Sequence, residues 1–237
     1  MRGILLDGTR VHTRRRVVLV VEDEASRRPL SWGFGERETY RSWLRLLAGL
    51  QCAGVAPGFA VCDGHKGLLK ALRAIWPEIL IQRCLVHVVR QAKTILTQRP
   101  KTLAGQQLLE LVRQLPGVRT KRQRRRWLRA YRYWLRRHEH FLKQRTYHPN
   151  KARRWWYTHR KLRAVRSLLN NSLPGLFLYV RYPQIPRSTN AIEGGINSPL
   201  KDLYRRHRGL SLEHKTTLTA WYLLSRQNGG KPTRDFL

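Results

Sequence analysis

The sequence predicts a mixed α/β layer fold interrupted by a basic helical insertion, and three observations carry that prediction. Short apolar, β-branched runs alternate with helical stripes over the first hundred residues. From about Pro100 to Pro186 strand-like runs become rare, and Arg, Trp and Leu dominate. Hydrophobic residues make up 41% of the 237, with 8 Trp, 9 Tyr and 5 Phe, which suits a folded core and not a disordered basic tail.

The elements follow in order. Gly3–Val11 is apolar through Ile4-Leu5-Leu6 and then breaks on Asp7-Gly8. Arg16–Glu22 holds Val17-Val18-Leu19-Val20-Val21, a run suited to burial on both faces. Leu30, Trp32 and Phe34 alternate with Ser31, Gly33 and Gly35, a period of two. These three segments lie close together, which predicts an antiparallel meander. Tyr40, Trp43, Leu44, Leu47 and Leu50 then form a helical stripe. Phe59–Cys62 is a short strand ending on Asp63-Gly64. Leu68, Leu69, Leu72 and Ile75 mark a helix that stops before Pro77. Ile79-Leu80-Ile81 is a fifth strand, and a helix runs from Leu85 to about Gln98. The order is β-β-β-α-β-α-β-α.

In the insertion, Lys121–Arg137 has nine basic residues in seventeen, yet Trp127, Leu128, Tyr131, Trp134 and Leu135 recur at helical spacing. Lys151–Asn170 repeats the style with Trp155, Trp156, His159, Leu162 and Leu169, predicting a second helix. Its aromatics, Trp155, Trp156 and Tyr157, read as core in preference to a surface that stacks on bases. After Pro183 and Pro186 the chain resumes with Ser188-Thr189-Asn190 and further helix. The expected division is residues 1–99 as a first core part, 100–187 as the insertion, and 188–237 completing the core.

Forty-eight Lys+Arg against 14 Asp+Glu leave a formal charge of +34 at pH 7. That balance implies a polyanionic partner, with DNA or RNA ahead of an anionic membrane surface. No apolar run approaches the roughly 18–20 residues that span a bilayer. The N-terminus has only a short apolar stretch before Asp7 and Arg10, unlike a signal peptide. Three cysteines, Cys52, Cys62 and Cys84, fit no disulfide framework and point to a reducing, cytoplasmic setting.

Acids are scarce, so their positions carry information. Asp7 and Asp63 each end an apolar strand and each precede a Gly that lets a backbone or ligand approach closely. They read either as metal-binding carboxylates or as turn aspartates, since Asp-Gly is a common turn dipeptide. Glu193 lies in Ser188–Asn197, where Asn190, Glu193 and Asn197 share a polar face opposite Ile192, Ile196, Leu200 and Leu203. A capping box of Asn190 with Glu193 competes with a functional role. Against it, Gly194-Gly195 costs about 1 kcal/mol per Gly inside a helix, which suggests that a backbone or phosphate approaches there. Cys84-x-x-His87 has a spacing seen in zinc sites, but no second ligand pair stands at workable spacing. A packed Cys and a hydrogen-bonded His, structural and without zinc, is the preferred reading.

Four of these motifs, taken in order, resemble the Mutator-type transposases of bacterial insertion sequences: LLDGT around Asp7, VCDGHKGL around Asp63, QRCLVHVVR at Gln82–Arg90 and STNAIEGGINSPLK at Ser188–Lys201. The resemblance runs from about Gly3 to Gln227. It implies an RNase H-like core with a helical insertion before the last catalytic helix. It further implies a DDE triad of Asp7, Asp63 and Glu193, which binds Mg²⁺ or Mn²⁺, and a Cys84/His87 signature after the fifth strand. In such a core the first and fourth strands are neighbours, which would set Asp7 beside Asp63. The stretch Lys201–Gly209 matches the basic segment after the family's Glu. Lys66, Asn190, Lys201, Arg205, Arg206 and Arg208 are the expected DNA contacts.

The chemistry would be strand cleavage by water, freeing a 3′-OH that then attacks a target strand. Two hard cations about 3.5–4 Å apart can clamp the attacking and leaving oxygens, and carboxylates from different elements can hold them. The partners implied are transposon-end and target DNA, with a homodimer on DNA and no membrane, in a nucleoid-associated cytoplasmic setting. Two departures from the pattern stand out. Only six residues precede Asp7, where family members carry a DNA-binding region, so recognition of specific ends is not expected of this chain. Pro199 should kink a continuous helix or open a new one. The alternatives are a catalytically inactive or truncated transposase-derived DNA-binding protein, or a basic RNA-binding protein of ribosomal type.

Overall fold

The computed structural model describes residues 2–12, 16–149 and 151–229. The chain divides into two compact units: Met1–Cys84 with Ile185–Leu237, and Leu85–Gln184.

The first unit is built on a five-stranded mixed sheet in the order β3-β2-β1-β4-β5. The expected meander is present as β1 (Gly3–His12), β2 (Arg16–Asp23) and β3 (Pro29–Gly35), paired antiparallel. Strands β4 (Phe59–Cys62) and β5 (Leu80–Arg83) add parallel to β1 and to β4 in turn. Parallel neighbours need crossovers. These are supplied by helix α1 (Tyr40–Cys52) between β3 and β4, and by α2 (Lys66–Ile75) between β4 and β5. A reciprocal cap between Thr39 and Ser42 starts α1.

Strand alternation sorts the side chains. Ile4, Leu6, Leu19, Val21, Ala60 and Cys62 form one buried cluster with Trp43, Leu47, Leu68 and Leu72 of α1 and α2. Leu5, Val20 and Val61 are equally buried but belong to the opposite face. There α9 (Asn190–Ile192) packs on β1, and α11 (Leu212–Gln227) packs on β1 and β3. Between these helices run a π-helical segment, Glu193–Asn197, and α10 (Ser198–Arg206). One expectation is corrected here. Strand β1 does not break at Asp7-Gly8; both residues pair with β2, opposite Val20 and Leu19, and the strand continues to His12.

The second unit holds α3 (Leu85–Leu96), α4 (Leu103–Gln114), α5 (Lys121–Arg137), α6 (Glu139–Lys143), α7 (Arg160–Leu176) and α8 (Leu178–Arg181). The aromatic stripe of α5 is buried as expected at Trp127, Tyr131 and Trp134. The two indoles donate to the carbonyls of Leu111 (2.8 Å) and Ala104 (3.0 Å), so neither N–H is stranded in the core. The second helix does not begin at Lys151. Instead β6 (Arg145–His148) and β7 (Lys151–Tyr157) form a separate antiparallel ribbon, and α7 starts at Arg160. Arg-Arg-Trp-Trp-Tyr carries no helix period of its own, and its three aromatics favour the extended backbone.

Candidate active site

Two adjacent parallel strands position the first two carboxylates. Leu6 of β1 is in register with Cys62 of β4, so Asp7 and Asp63 are the next residues on neighbouring strands. Such strands lie about 4.8 Å apart. Asp7 is buried within the strand, so the turn alternative fails for it. Asp63 does sit in a turn: its Oδ1 accepts from the His65 backbone N–H at 2.9 Å, and Gly64 has φ of +85°. A side chain at Gly64 would also collide with the Arg83 guanidinium, 1.8 Å from where Cβ would lie. Arg83, itself buried, donates to the Asp63 carbonyl at 2.9 Å and fixes that loop.

Glu193 arrives from the other side of the sequence. Its carboxylate and that of Asp7 have oxygens within 4.8 Å of each other. Asn197, one turn on and buried, donates from Nδ2 to Asp7 Oδ2 at 2.6 Å, while Gly8 N–H donates to Asp7 Oδ1 at 3.0 Å. Each oxygen of Asp7 therefore has a fixed donor. The capping box between Asn190 and Glu193 is not formed: Thr189 is the N-cap, no side chain caps the helix, and Asn190 is exposed.

Pro199 falls in the first turn of α10, the second of the two placements expected for it, and the helical run is not interrupted there. The run passes through α9, the π segment and α10, with Ser198 N–H bonding back five residues to the Glu193 carbonyl. Proline offers no N–H to the preceding turn. The carbonyl four residues before it, on Gly195, accepts from the Tyr222 hydroxyl at 2.8 Å. A Cβ at Gly194 would meet nothing within 4 Å, so packing in this chain does not demand the glycine there.

Cys84 ties this helix to the sheet. It is fully buried just past β5, its N–H bonds the Cys62 carbonyl at 2.7 Å, and its Sγ accepts from the backbone and hydroxyl of Thr189 (3.4 and 3.3 Å). His87 lies in the first turn of α3, partly exposed, in the second unit.

A further carboxylate does not stand out in the sequence. Glu38, just before the N-cap of α1, accepts from the Trp43 indole at 2.8 Å and lies 3.7 Å from His65 Nδ1. Burial and the Asp63 charge push its pKa up, against the pull of Trp43 and His65. One clue does exist: in a chain with 14 acids, an acid at a strand-to-helix junction merits the same weight as Asp7. Asn197 falls on the Glu193 face by spacing but acquires a task only in three dimensions, because a sequence does not reveal which oxygen an amide will meet.

The expected DNA contacts are spread over exposed positions. Lys66 opens α2, Lys201, Arg205 and Arg206 lie on α10, and Arg208 follows it. Arg205 and Arg206 pair with Asp202 at 2.8 and 3.5 Å on the exposed side of α10. No helix among the described residues is long and apolar enough to cross a membrane.

The sequence pattern of the Mutator family of transposases matches residues 4–143, more than half of the chain. The chain belongs to the Mutator family of transposases. Among curated relatives, a probable insertion-sequence transposase of Corynebacterium diphtheriae is 34% identical over 94 residues, which is 39% of this chain and 27% of the relative. The transposase for insertion sequence element IST2 of Acidithiobacillus ferrooxidans is 37% identical over 87 residues, 36% of this chain and 28% of the relative. The transposase for IS406 of Burkholderia multivorans is 29% identical over 106 residues, 44% and 27% of the two chains. The matched segments thus span about a quarter of each relative's length.

Proposed function

We propose that this Mutator-family chain cuts and joins DNA strands, with an RNase H-like core whose Asp7, Asp63 and Glu193 hold Mg²⁺ or Mn²⁺. The observation that carries the reading is the convergence of the middle of β1, at Asp7, and the adjacent end of β4, at Asp63, with a helix from the far end of the sequence. That convergence leaves Asp7 and Glu193 oxygens within 4.8 Å. The donor set suits a hard cation, since it is made of carboxylate oxygens and carries like charges that repel without one. Bound metal would supply the charge that stabilises the attacking and leaving oxygens of the phosphodiester.

The protein's own share is orientation. Gly8 N–H and Asn197 hold the two oxygens of Asp7, His65 N–H holds Asp63, and the Cys84–Thr189 bonds seat the Glu193 helix on the sheet. The basic surface would hold the DNA through phosphates without reading sequence.

The test is cleavage of a DNA end by the full chain in Mg²⁺. Asp7→Ala, Asp63→Ala and Glu193→Ala should each abolish cutting while DNA binding stays within about threefold, because metal-site carboxylates contribute little to backbone contacts. Full activity in Glu193→Gln would overturn the assignment, since an amide keeps shape and helix but not charge.

A further inference from the structure

Among the described residues, ribbon β6–β7 pairs only with itself. A lone two-stranded ribbon is marginal in water, so the side chains it shows are informative. Tyr147 stands directly opposite Trp155, and Arg145 opposite Tyr157. Residues two apart on a strand share a face, so these four stand together. They are not core: Tyr147 is 57% exposed and Trp155 39%. The Arg145 guanidinium lies 4.0 Å from the centre of the Trp155 ring, and Arg163 lies 3.4 Å from that of Tyr157. Trp155 and Tyr157 meet edge to face at 5.1 Å.

The surrounding segment decides what such a face can take. No Asp or Glu occurs in the sequence between Glu139 and Glu193. A second copy of this face, or any basic protein, would be repelled. A nucleic-acid strand supplies both complements at once: flat rings for the aromatics and phosphates for the guanidiniums. In a duplex the base faces are already stacked on one another, so open rings of this kind are useful only to an unpaired strand.

We propose that the β6–β7 ribbon is a platform for unpaired DNA bases, with Tyr147 and Trp155 stacking on them and Arg145 and Arg163 meeting the adjoining phosphates. This rests on the DNA-handling reading above and adds the strand state that the ribbon recognises.

The experiment measures binding by the full chain, without divalent metal, at about 150 mM salt, where backbone contacts weaken. Fluorescent probes are a single strand, a duplex with a 3′ overhang, a blunt duplex and an RNA strand of matching sequence. Tyr147→Ala/Trp155→Ala should weaken binding roughly 10–100-fold on the single strand and the overhang, the effect expected for one or two stacked bases. It should weaken binding under about threefold on the blunt duplex, since no charge is removed. Tyr147→Phe/Trp155→Phe, which keeps aromatic rings at both positions, should retain most of the binding. An unchanged thermal midpoint in both variants excludes a folding defect.

Equal weakening on the blunt duplex, none on the single strand, or a Phe variant as weak as the Ala variant overturns the platform. Tighter binding of the RNA strand overturns the assignment to DNA. If wild type binds none of the probes, the proposed function falls with the platform. If it binds all of them but ignores the substitutions, only the platform falls.

Discussion

At the scale of single residues, the sheet holds an acid that the proposed chemistry does not use. Glu22 is 1% exposed on β2, opposite Leu5, and its Oε1 makes no hydrogen bond. Burial pushes its pKa up to about 7, against the opposing pull of Arg27 and Arg226. The native state therefore holds a proton that the unfolded chain releases near pH 4.5, and stability should fall as pH rises from about 4.5 to 7. A shift of that size corresponds to about 3 kcal/mol. Denaturant unfolding across this range should show the fall in wild type and a flatter profile in Glu22→Gln. An identical profile in the variant would mean that Glu22 is charged and paired in the native state. Asp7 and Asp63 were legible because a carboxylate after an apolar run in an acid-poor chain stands out. Glu38, Arg83 and the role of Asn197 were not, since each depends on a contact between separate elements.

At the scale of elements, the helix of Glu193 shows how a local rule can fail for a reason. Gly194, Gly195 and Pro199 all disfavour helix, yet the chain stays helical by widening to a π turn over Glu193–Asn197. The widened turn keeps Glu193 near Asp7 and carries Asn197 to the Asp7 oxygen. The Tyr222 hydroxyl meets the Gly195 carbonyl in the turn that Pro199 cannot serve. Tyr222→Phe should then cost about 1 kcal/mol, the usual net worth of one hydrogen bond. The cost should shrink in a Pro199→Ala background, where a backbone N–H returns. A double-mutant cycle on unfolding free energies measures that coupling; additive costs would show that the two groups serve different carbonyls. The strand meander, α1, α2 and α5 were legible from pattern: the helices each have one face that must be buried, while β1 and β2 carry continuous apolar runs because both of their faces are covered. The β6–β7 ribbon was not. Trp155 falls at helical spacing with His159 and Leu162 downstream, so β7 reads as the start of α7, and a two-stranded ribbon buries too little to impose a period of two.

At the scale of the whole molecule, charge sets the terms of the proposed DNA binding. A formal +34 makes association with any polyanion favourable at low salt. Ion release from DNA converts each phosphate contact into salt dependence, so engagement of about 6–10 phosphates should lower affinity by roughly 10³–10⁵ between 50 and 200 mM salt. Phosphate contacts are blind to sequence, so the same fall is expected on duplexes of unrelated sequence. The ribbon supplies a separable contribution. Stacking displaces no counterions, so Tyr147→Ala/Trp155→Ala should shift single-strand affinity downward by a constant factor at every salt concentration and leave the slope unchanged. Substituting Lys66, Lys201 or Arg208 should instead reduce the slope by about one unit for each phosphate that the cation neutralised, on single strand and duplex alike. Anisotropy titrations across a series of salt concentrations separate the two. A slope that changes with the aromatic substitutions, or one that stays fixed when the lysines are removed, would show that the division between stacking rings and phosphate-binding cations is wrong.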